Sequence, residues 1–299
     1  METSNAKLTG AGALLGRHKV SGLPTVYYVP EYITSEEEKT LLSRVDAPNS
    51  KWTQLKRRRV QNWGGIVHPK GMVPSALPDW IKGLIARLFE DTGVFQDSLN
   101  HVLINEYNPG EGILSHEDGP LYFPAVAILS LGATVVIRFT RKSRDQDLPP
   151  ADQDPPPARV EGRGEETPSG ETPESVEKGK GAARDEQMVD GDEVAVSKEV
   201  YETPETDQDP NLIPDTVSLV LKPRSLLVFK DLAYTHYLHG IEETGVDQLD
   251  ESLSNRTQAG IGQDTDRVTR TGRRVSMTCR RVLKMVNVSR ILPGLMKRK

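Results

Sequence analysis

The stretch INEYNPGEGILSHEDGP, from Ile104 to Pro120, contains two apparent strands around a Pro-Gly-Gly turn. Near its end, His116 and Asp118 stand two residues apart. Because residues i and i+2 of a strand project from the same face, these two side chains could grip one metal ion together. A His-x-Asp pair is common by chance, however, so its meaning depends on whether a third ligand and a cationic pocket follow in the chain.

Bulk composition limits the kind of site that the chain can build. The 299 residues are 36% hydrophobic, which is enough for a single sizeable core. The one cysteine, Cys279, excludes an intramolecular disulfide and a thiolate metal cluster, so any metal must be held by His, Asp or Glu. The N-terminus lacks the layout of a secretion signal, and no apolar run approaches the ~18 residues of a membrane helix. We therefore expect a protein of the cytoplasm and nucleus without a membrane contact.

The net charge of −5 averages over two unlike parts of the chain. Between Asp145 and Pro210 there are 20 acidic and 6 basic residues, together with many Pro and Gly and almost no aromatic residues. Such a sequence cannot bury enough apolar surface to offset its chain entropy, so 145–210 is predicted to be a disordered acidic insertion. The remainder carries 32 basic and 23 acidic residues, a balance that nucleic-acid-binding proteins often show.

The insertion is expected to interrupt one domain rather than to separate two. Strand-like segments lie on both sides of it, from Val126 to Phe139 and from Val217 to Phe229. The predicted division begins with a flexible N-terminus at 1–20, followed by a single domain over 21–144 and 211–299. Within that domain, the helices and the lid lie in 21–100, and the β core lies in 101–144 plus 211–299. A long, mobile polar loop is predicted at 245–272.

The N-terminal third predicts two helices. Thr34 or Ser35 followed by EEEKTLLSRV indicates a capped amphipathic helix. The segment from Leu77 to Gly93 has apolar residues at helical spacing and a terminal glycine, which indicates a second helix. Beyond it the chain reads as strands and turns. Helices first and antiparallel strands afterwards predict an α+β fold, with a jelly roll or a similar barrel as the β part.

The segment RVSMTCRRV, which begins at Arg274, alternates strictly between polar and apolar residues. In a strand, one face would carry Arg274, Ser276, Thr278 and Arg280, and the other would carry Val275, Met277, Cys279 and Arg281. A polar, doubly cationic inner face does not suit a simple core strand. It suits a barrel whose interior binds an anionic ligand.

A further histidine, His239, stands in the stretch YLHGIEE. Together with His116 and Asp118 it supplies two imidazoles and one carboxylate, the facial set that leaves three coordination positions of iron(II) open. Joined in this order to the later Arg-x-Ser-x-Thr-x-Arg strand, the His-x-Asp pair becomes a strong signal of a metal site beside an anion pocket.

In these motifs the sequence resembles the AlkB family of iron(II) and 2-oxoglutarate dioxygenases, most closely its homologue-six branch. The matching residues are Asn105, Tyr107, His116-Glu117-Asp118, His239-Gly240-Ile241 and Arg274 through Arg280. The resemblance implies a double-stranded β-helix, which is a jelly roll, with the N-terminal helices packed on it. It also implies that iron(II) is held by His116, Asp118 and His239. Because His-Gly-Ile is the matching piece, His239 is preferred to its neighbour His236 as the third ligand.

The same resemblance implies a pocket for the cosubstrate 2-oxoglutarate. Its expected lining is Asn105, Tyr107, Arg274, Ser276, Thr278 and Arg280. Arg274 would pair with the distal carboxylate and Arg280 would lie nearer the iron. Along a strand these two arginines are about 20 Å apart, so they are not expected to grip one carboxylate. Ser276 stands where many relatives have Asn, which removes one hydrogen-bond donor from the pattern.

The resemblance further implies oxidative demethylation of an alkylated base in DNA or RNA, presented in a single strand or flipped out. A monomer is the favoured oligomeric state, which the sequence leaves open. Two alternatives stay open, a dioxygenase of the same chemistry that acts on a protein side chain, and a non-catalytic nucleic-acid-binding module. An intact set of metal ligands and cosubstrate arginines speaks against the last, because a pure binder needs neither.

The stretch KRRRVQNWGG, from Lys56 to Gly65, mixes a basic run with a tryptophan. One interpretation is a nucleotide-recognition lid in which Arg57, Arg58 and Arg59 contact phosphates and Trp63 stacks on a base. The other interpretation is a solvated loop whose tryptophan packs in the core. The sequence favours neither.

Overall fold

Two antiparallel β-sheets packed face to face form the frame of the protein. The computed structural model describes residues 13–142, apart from Asn49, and residues 213–287. Its helices are α1 (Ala13–Gly16), α2 (Ser35–Val45), α3 (Asp79–Thr92) and α4 (Asp231–Thr235). Its strands are β1 (Val26–Val29), β2 (Thr53–Gln54), β3 (Arg59–Trp63), β4 (Gly65–His68), β5 (Gly71–Pro74), β6 (His101–Tyr107), β7 (Ile113–His116), β8 (Ala125–Gly132), β9 (Val135–Arg141), β10 (Thr216–Leu221), β11 (Leu226–Lys230), β12 (Tyr237–Ile241), β13 (Val246–Gln248), β14 (Arg267–Thr269) and β15 (Arg274–Arg280).

The larger sheet has seven strands in the order β1-β11-β8-β15-β6-β3-β2, and the smaller has four in the order β10-β9-β12-β7. All neighbouring strands within both sheets run antiparallel. Two separate hairpins, β4-β5 and β13-β14, complete the strands of the described part. Facing antiparallel sheets with this crossed order form a jelly roll. The predicted fold class, α+β with N-terminal helices on a jelly-roll core, is therefore confirmed.

Both predicted helices form, and local signals explain their ends. At the start of α2, the Thr34 hydroxyl accepts a hydrogen bond from the Glu37 N–H at 3.2 Å, while the Thr34 N–H donates to the Glu37 carboxylate at 2.7 Å. This reciprocal capping box satisfies two otherwise unpaired N–H groups. Helix α3 ends at Gly93, whose φ of 61° is the left-handed conformation that glycine adopts without strain. No helix within the described ranges is long and apolar enough to cross a membrane.

The core consists of two buried clusters, one on each face of the larger sheet. The first packs the helices onto the sheet and includes the apolar face of β15, which is Val275, Met277 and Cys279. The second fills the space between the two sheets and includes Phe139 and Phe229, whose rings meet edge-on at 5.3 Å. The alternation of β15 is therefore the one that its sequence predicts, with Cys279 fully buried as a small hydrophobe.

The segment 245–272, predicted to be one long, mobile polar loop, is a loop only between β13 and β14. It contains the hairpin β13-β14, and it is tied down by buried polar residues. Arg270 forms two bonds to Asp247, at 2.7 and 2.6 Å, and both side chains are buried. Asn255 exchanges two hydrogen bonds with the backbone of Val220 in the smaller sheet, each at 2.9 Å. Buried polar pairs therefore hold parts of this segment in place, while many of its other polar side chains are exposed.

The predicted acidic insertion, 145–210, lies outside the described residues. The strands that flank it are direct neighbours in the smaller sheet, with Thr140 of β9 opposite Thr216 of β10. The insertion therefore connects two adjacent antiparallel strands, the position of an ordinary hairpin loop.

Because the flanking strands pair without the insertion, we predict that a short Gly-Ser linker can replace 145–210. Loop-closure entropy should make the shortened chain as stable as the full chain, or more stable by up to about 2 kcal/mol. Circular dichroism and urea unfolding of the two proteins measure this. Loss of cooperative unfolding in the shortened chain would show that the insertion contains part of the fold.

The buried Arg270–Asp247 pair generates a second prediction. Arg270→Ala leaves a buried carboxylate without its cation, which costs about 3–5 kcal/mol of unfolding free energy. The control is Arg267→Ala, which removes an arginine that is 66% exposed at its side chain and lies three residues earlier. If urea unfolding gives both variants the same small change, the pair does not hold this segment in place.

Candidate metal centre and anion pocket

Two paired strands and the turn after one of them bring His116, Asp118 and His239 together. His116 ends β7 and is the Cα partner of His239 on β12. The two imidazole rings have centroids 4.4 Å apart, and His239 Nε2 lies 3.9 Å from Asp118 Oδ2. One ligand atom from each residue lies within 4.8 Å of the other two. The predicted ligand set is therefore a spatial cluster, whereas His236 is exposed and outside it.

The second sheet contributes to the same cluster from across the core. His239 contacts Phe229 of the larger sheet and Phe139 of its own sheet, with ring centroids 5.0 and 6.0 Å away. From β15, the Arg280 guanidinium contacts Asp118 Oδ1 and stacks on Tyr122, 4.2 Å from the ring centroid. The cluster thus lies between the sheets, with His239 buried and His116 and Asp118 partly buried.

The protonation states of the cluster suit a divalent metal. Burial lowers the pKa of His116 and of His239, the latter to about 3, so both imidazoles are neutral near pH 7. Burial alone would raise the pKa of Asp118, but Arg280 and the two imidazoles outweigh it and lower that pKa below its ordinary value. Two neutral imidazoles and one carboxylate anion form the donor set of a facial iron(II) site.

Hydrogen bonding in the cluster also leaves ligand atoms available. His116 Nδ1 lies 2.8 Å from the Leu114 carbonyl oxygen, so Nδ1 carries the proton and Nε2 presents its lone pair. Asp118 Oδ2 is buried and has no hydrogen-bond partner within the described ranges. A buried polar atom without a partner is costly, and a bound cation removes that cost. The residues present therefore fit a metal ion.

A buried cation without a counter-ion lies further along β15. Arg274 is 3% exposed and donates to the Ser130 hydroxyl at 3.0 Å, and its guanidinium lies 5.7 Å from the Tyr107 ring centroid. No carboxylate of the described residues lies within 4.0 Å of Arg274, and its Nε has no hydrogen-bond partner among them. Burial lowers the pKa of Arg274 to about 10. An uncompensated buried charge of this kind fits a carboxylate supplied by a ligand.

The other predicted pocket residues line the same inner face. Across the sheet, Arg274 stands opposite Tyr107, and Ser276 stands opposite Asn105 on one side and Ser130 on the other. Asn105 and Ser276 are buried, at 5% and 2% exposure. Thr278 lies nearer the His116–Asp118–His239 cluster, and its neighbours across the sheet are Leu103 and Ile128. Arg274 and Arg280 thus lie at opposite ends of β15 and have different neighbours, as their separation predicted.

The predicted lid residues do not share one surface. Arg59 points to the helix-covered side of the sheet, where it bonds Glu106 at 2.6 and 2.9 Å and stacks on Trp52. Trp63 lies on that same side and packs edge-on against Trp80, 6.0 Å between centroids. The tryptophan position is the one that the core-packing interpretation describes.

The two remaining lid residues point elsewhere. Arg57 contacts Glu243, which follows β12, and Arg58 donates to the Asn105 side chain at 3.2 Å. Contacts of Arg57, Arg58, Arg59 and Trp63 with nucleic acid stay predictions.

Three residues near the metal cluster were missed by sequence reasoning. Tyr122 lies under Arg280, and the Tyr234 hydroxyl donates to the Gly119 carbonyl at 2.8 Å, directly after Asp118. Lys142 contacts Glu117, the residue between the two ligands of the His-x-Asp pair. Each comes from a different part of the chain, and its local pattern does not distinguish it from an ordinary core aromatic or surface lysine.

A jelly roll that encloses two imidazoles, one carboxylate and an unpaired buried arginine defines a class, the mononuclear non-haem iron oxygenases that use an anionic cosubstrate. A family model described as the 2OG-Fe(II) oxygenase superfamily matches residues 27–280. A protein of Danio rerio described as probable RNA/DNA demethylase ALKBH6 is 34% identical over 272 residues, covering 90% of this chain and 90% of that one. The chain belongs to the 2OG-Fe(II) oxygenase superfamily.

More distant similarities cover less of the relative or carry less identity. A tRNA (carboxymethyluridine(34)-5-O)-methyltransferase of Mus musculus, ALKBH8, is 33% identical over 129 residues, which are 39% of this chain and 19% of that protein. A Pseudomonas putida prolyl-4-hydroxylase structure has a TM-score of 0.41 and 10% identity, covering 90% of this chain and 95% of that one. Family membership makes the protein a non-haem iron dioxygenase that uses Fe(II) and the cosubstrate 2-oxoglutarate.

The cluster geometry predicts how single ligand changes affect metal binding. Asp118→Asn keeps the side-chain size but removes the negative charge, so affinity for Fe(II) or Mn(II) should fall by more than about 100-fold, since even an outer-shell change costs 10–100-fold. His236→Ala is the matched control and should bind metal as the unchanged protein does. Anaerobic Fe(II) titration measures both. Normal metal binding by Asp118→Asn would show that Asp118 is not a ligand. Loss of metal binding in His236→Ala would show that His236 is one.

Proposed function

We propose that this protein is an oxidative demethylase of alkylated nucleic acid. In this proposal Fe(II) is held by His116, Asp118 and His239, and 2-oxoglutarate by Asn105, Tyr107, Arg274 and the inner face of β15 with Ser276, Thr278 and Arg280. The observation that carries it is the buried, uncompensated Arg274 on the same strand whose other end contacts the metal cluster. A dicarboxylate cosubstrate supplies the missing counter-charge.

Each side chain has a defined task in this proposal. Arg274 and the Asn105 amide bind a carboxylate of the cosubstrate through charge-assisted hydrogen bonds. Arg280 holds Asp118 ionised and oriented, and the Leu114 carbonyl fixes the His116 tautomer. The apolar cluster between the sheets excludes bulk water from the reacting atoms. The protein's contribution is thus placement and exclusion of water.

Iron held by His116, Asp118 and His239 would supply the oxidising chemistry: one oxygen atom of O₂ would enter a methyl C–H bond, and the other would enter succinate as 2-oxoglutarate loses CO₂. On an N-methylated base, the resulting hydroxymethyl group leaves as formaldehyde and restores the N–H group. Succinate and formaldehyde are therefore expected in equal amounts when oxidation and demethylation are coupled.

Nucleic acid is the proposed substrate because of the long match to the Danio rerio relative, whose description names RNA and DNA. The excess of basic over acidic residues outside 145–210 supports the same substrate. The proposal places the protein in the cytoplasm and nucleus, acting as a monomer on single-stranded or flipped bases. A protein side chain as substrate is the alternative outcome of the experiment.

The deciding experiment supplies purified protein with Fe(II), 2-oxoglutarate, O₂ and methylated RNA or DNA, and measures every methylated nucleoside by mass spectrometry. Loss of one methylated nucleoside, matched by succinate and formaldehyde, supports the proposal. Succinate production that rises only with added peptides or protein would move the substrate class to protein.

Arg274→Met tests the cosubstrate site. Losing a charge-assisted hydrogen bond of about 1.5–3 kcal/mol should raise KM for 2-oxoglutarate by about 10- to 150-fold. The thermal midpoint should not fall, because the variant removes an uncompensated buried charge. Arg267→Met, on the exposed hairpin β13-β14, should change neither quantity. An unchanged KM in Arg274→Met would remove this arginine from the cosubstrate site.

A further inference from the structure

Arg58 points into the space between the sheets, unlike its neighbour Arg59. Arg59 pairs with Glu106 on the helix-covered side, and successive residues of an extended segment face opposite sides. The register of β3 with β6 places Val60 opposite Asn105 and Arg59 opposite Glu106. Continued by one residue, this register sets Arg58 beside Tyr107 on the inner face, where the 2-oxoglutarate pocket is proposed.

The backbone around Arg58 gives it a fixed position. Its carbonyl oxygen accepts hydrogen bonds from the Leu55 N–H at 2.9 Å and from the Gln54 side-chain amide at 3.2 Å. These bonds close the turn between β2 and β3 immediately before β3 begins. Arg58 is half-buried there, and its direction is set by the turn rather than by solvent.

The contact between Arg58 and Asn105 determines which way the buried amide faces. Arg58 Nε lies 3.2 Å from Asn105 Oδ1. A guanidinium only donates hydrogen bonds, so the amide oxygen must face Arg58 and the NH₂ group must face the other way. A carboxylate ligand only accepts hydrogen bonds, so it needs the NH₂ group and is repelled by the amide oxygen. The orientation that Arg58 imposes is the one that a carboxylate requires.

Arg58 also lies close enough to the pocket to affect its electrostatics. Burial raises the pKa of Tyr107, while the charges of Arg274 and then of Arg58 act to lower it. The tyrosine thus has one guanidinium on the β15 side and another on the β3 side. Both guanidinium groups are thus close enough to Tyr107 to act on the pocket proposed for 2-oxoglutarate.

We propose that Arg58 is a positioning residue for 2-oxoglutarate, which holds the Asn105 amide with its NH₂ group toward the cosubstrate. This inference rests on the proposed function, in which Asn105 and Arg274 bind 2-oxoglutarate. It separates Arg58 from the phosphate-binding role that the basic run predicted. Arg58 acts through Asn105, so removing it should weaken cosubstrate binding without removing a direct contact to the reacting atoms.

Two variants of equal length separate a hydrogen-bond role from a general charge effect. In Arg58→Gln the amide nitrogen stands the same number of bonds from Cα as Arg Nε, so the donor to Asn105 stays and the charge is lost. In Arg58→Met the length stays and the donor is lost. Calorimetric titration of 2-oxoglutarate into Mn(II)-loaded protein should give a Kd for Arg58→Met about tenfold weaker, and for Arg58→Gln within about threefold of the unchanged protein.

A double-mutant cycle tests whether Arg58 acts through Asn105. Asn105→Ala should itself weaken 2-oxoglutarate binding by about tenfold or more, and adding Arg58→Met should weaken it by less than about twofold further. Lys56→Ala, an exposed residue of the same turn, is the control and should leave the Kd unchanged. In turnover, Arg58→Met should raise KM for 2-oxoglutarate and leave kcat near that of the unchanged protein.

The outcomes distinguish this inference from the function on which it rests. If Asn105→Ala and Arg274→Met bind 2-oxoglutarate normally, the proposed cosubstrate site fails. If those variants bind weakly but Arg58→Met binds normally, or if Arg58→Gln is as weak as Arg58→Met, the positioning role fails. Fully additive effects of Arg58→Met and Asn105→Ala also overturn it. A fall of about 0.7 in the salt slope of single-strand binding, with an unchanged Kd for 2-oxoglutarate, would return Arg58 to a phosphate contact.

Discussion

The two-residue alternation of one strand, β15, is the constraint on which both the core and the site depend. Because successive side chains of a strand face opposite sides, Val275, Met277 and Cys279 complete the cluster under the helices while the intervening residues face the other sheet. The strand is central in its sheet, between β6 and β8. Shifting its register by one residue would bury the arginines under the helices and expose the apolar face to the site.

The protein handles its buried arginines in two different ways. Among the described residues, three arginines are buried, Arg270, Arg274 and Arg280. Arg270 is neutralised by Asp247 and Arg280 by Asp118, each through a direct ion pair. Arg274 has hydroxyl and aromatic neighbours but no carboxylate among the described residues. Since an uncompensated buried charge is costly, the contrast supports the proposal that a ligand supplies the counter-charge of Arg274.

The sequence predicted the parts of the site that local patterns encode. The His-x-Asp spacing, the later His239 and the alternation from Arg274 to Arg280 each need only the geometry of a strand, and the structure brings them together. The capping signal at Thr34 likewise predicted the start of α2. These features are local, so they survive without knowledge of which strands pair.

What could not be predicted depends on pairing between distant segments. Three consecutive arginines, 57 to 59, carry no local signal of which face each occupies. Only the register of β3 with β6 separates Arg58 from Arg59. The Asp247–Arg270 pair spans a polar segment whose composition resembles that of a solvated loop. In both cases the local sequence does not show which charges pair, whereas the structure pairs Arg59 with Glu106 and buries Arg270 against Asp247.

The different partners of Arg274 and Arg280 also make the two ends of the proposed pocket chemically unlike, which bears on the direction in which 2-oxoglutarate binds. 2-Oxoglutarate is a dicarboxylate, and two equivalent cations at the ends of the pocket would attract either of its ends. Asp118 already occupies Arg280, so that end of β15 offers a metal site rather than a free guanidinium. At the other end, Arg274 has no carboxylate neighbour among the described residues, and Asn105 lies on the same face with its amide oxygen 3.2 Å from Arg58 Nε. We therefore expect the plain carboxylate of 2-oxoglutarate to bind at the Arg274 end. The other end of the molecule then places its keto oxygen and one carboxylate oxygen toward the metal site.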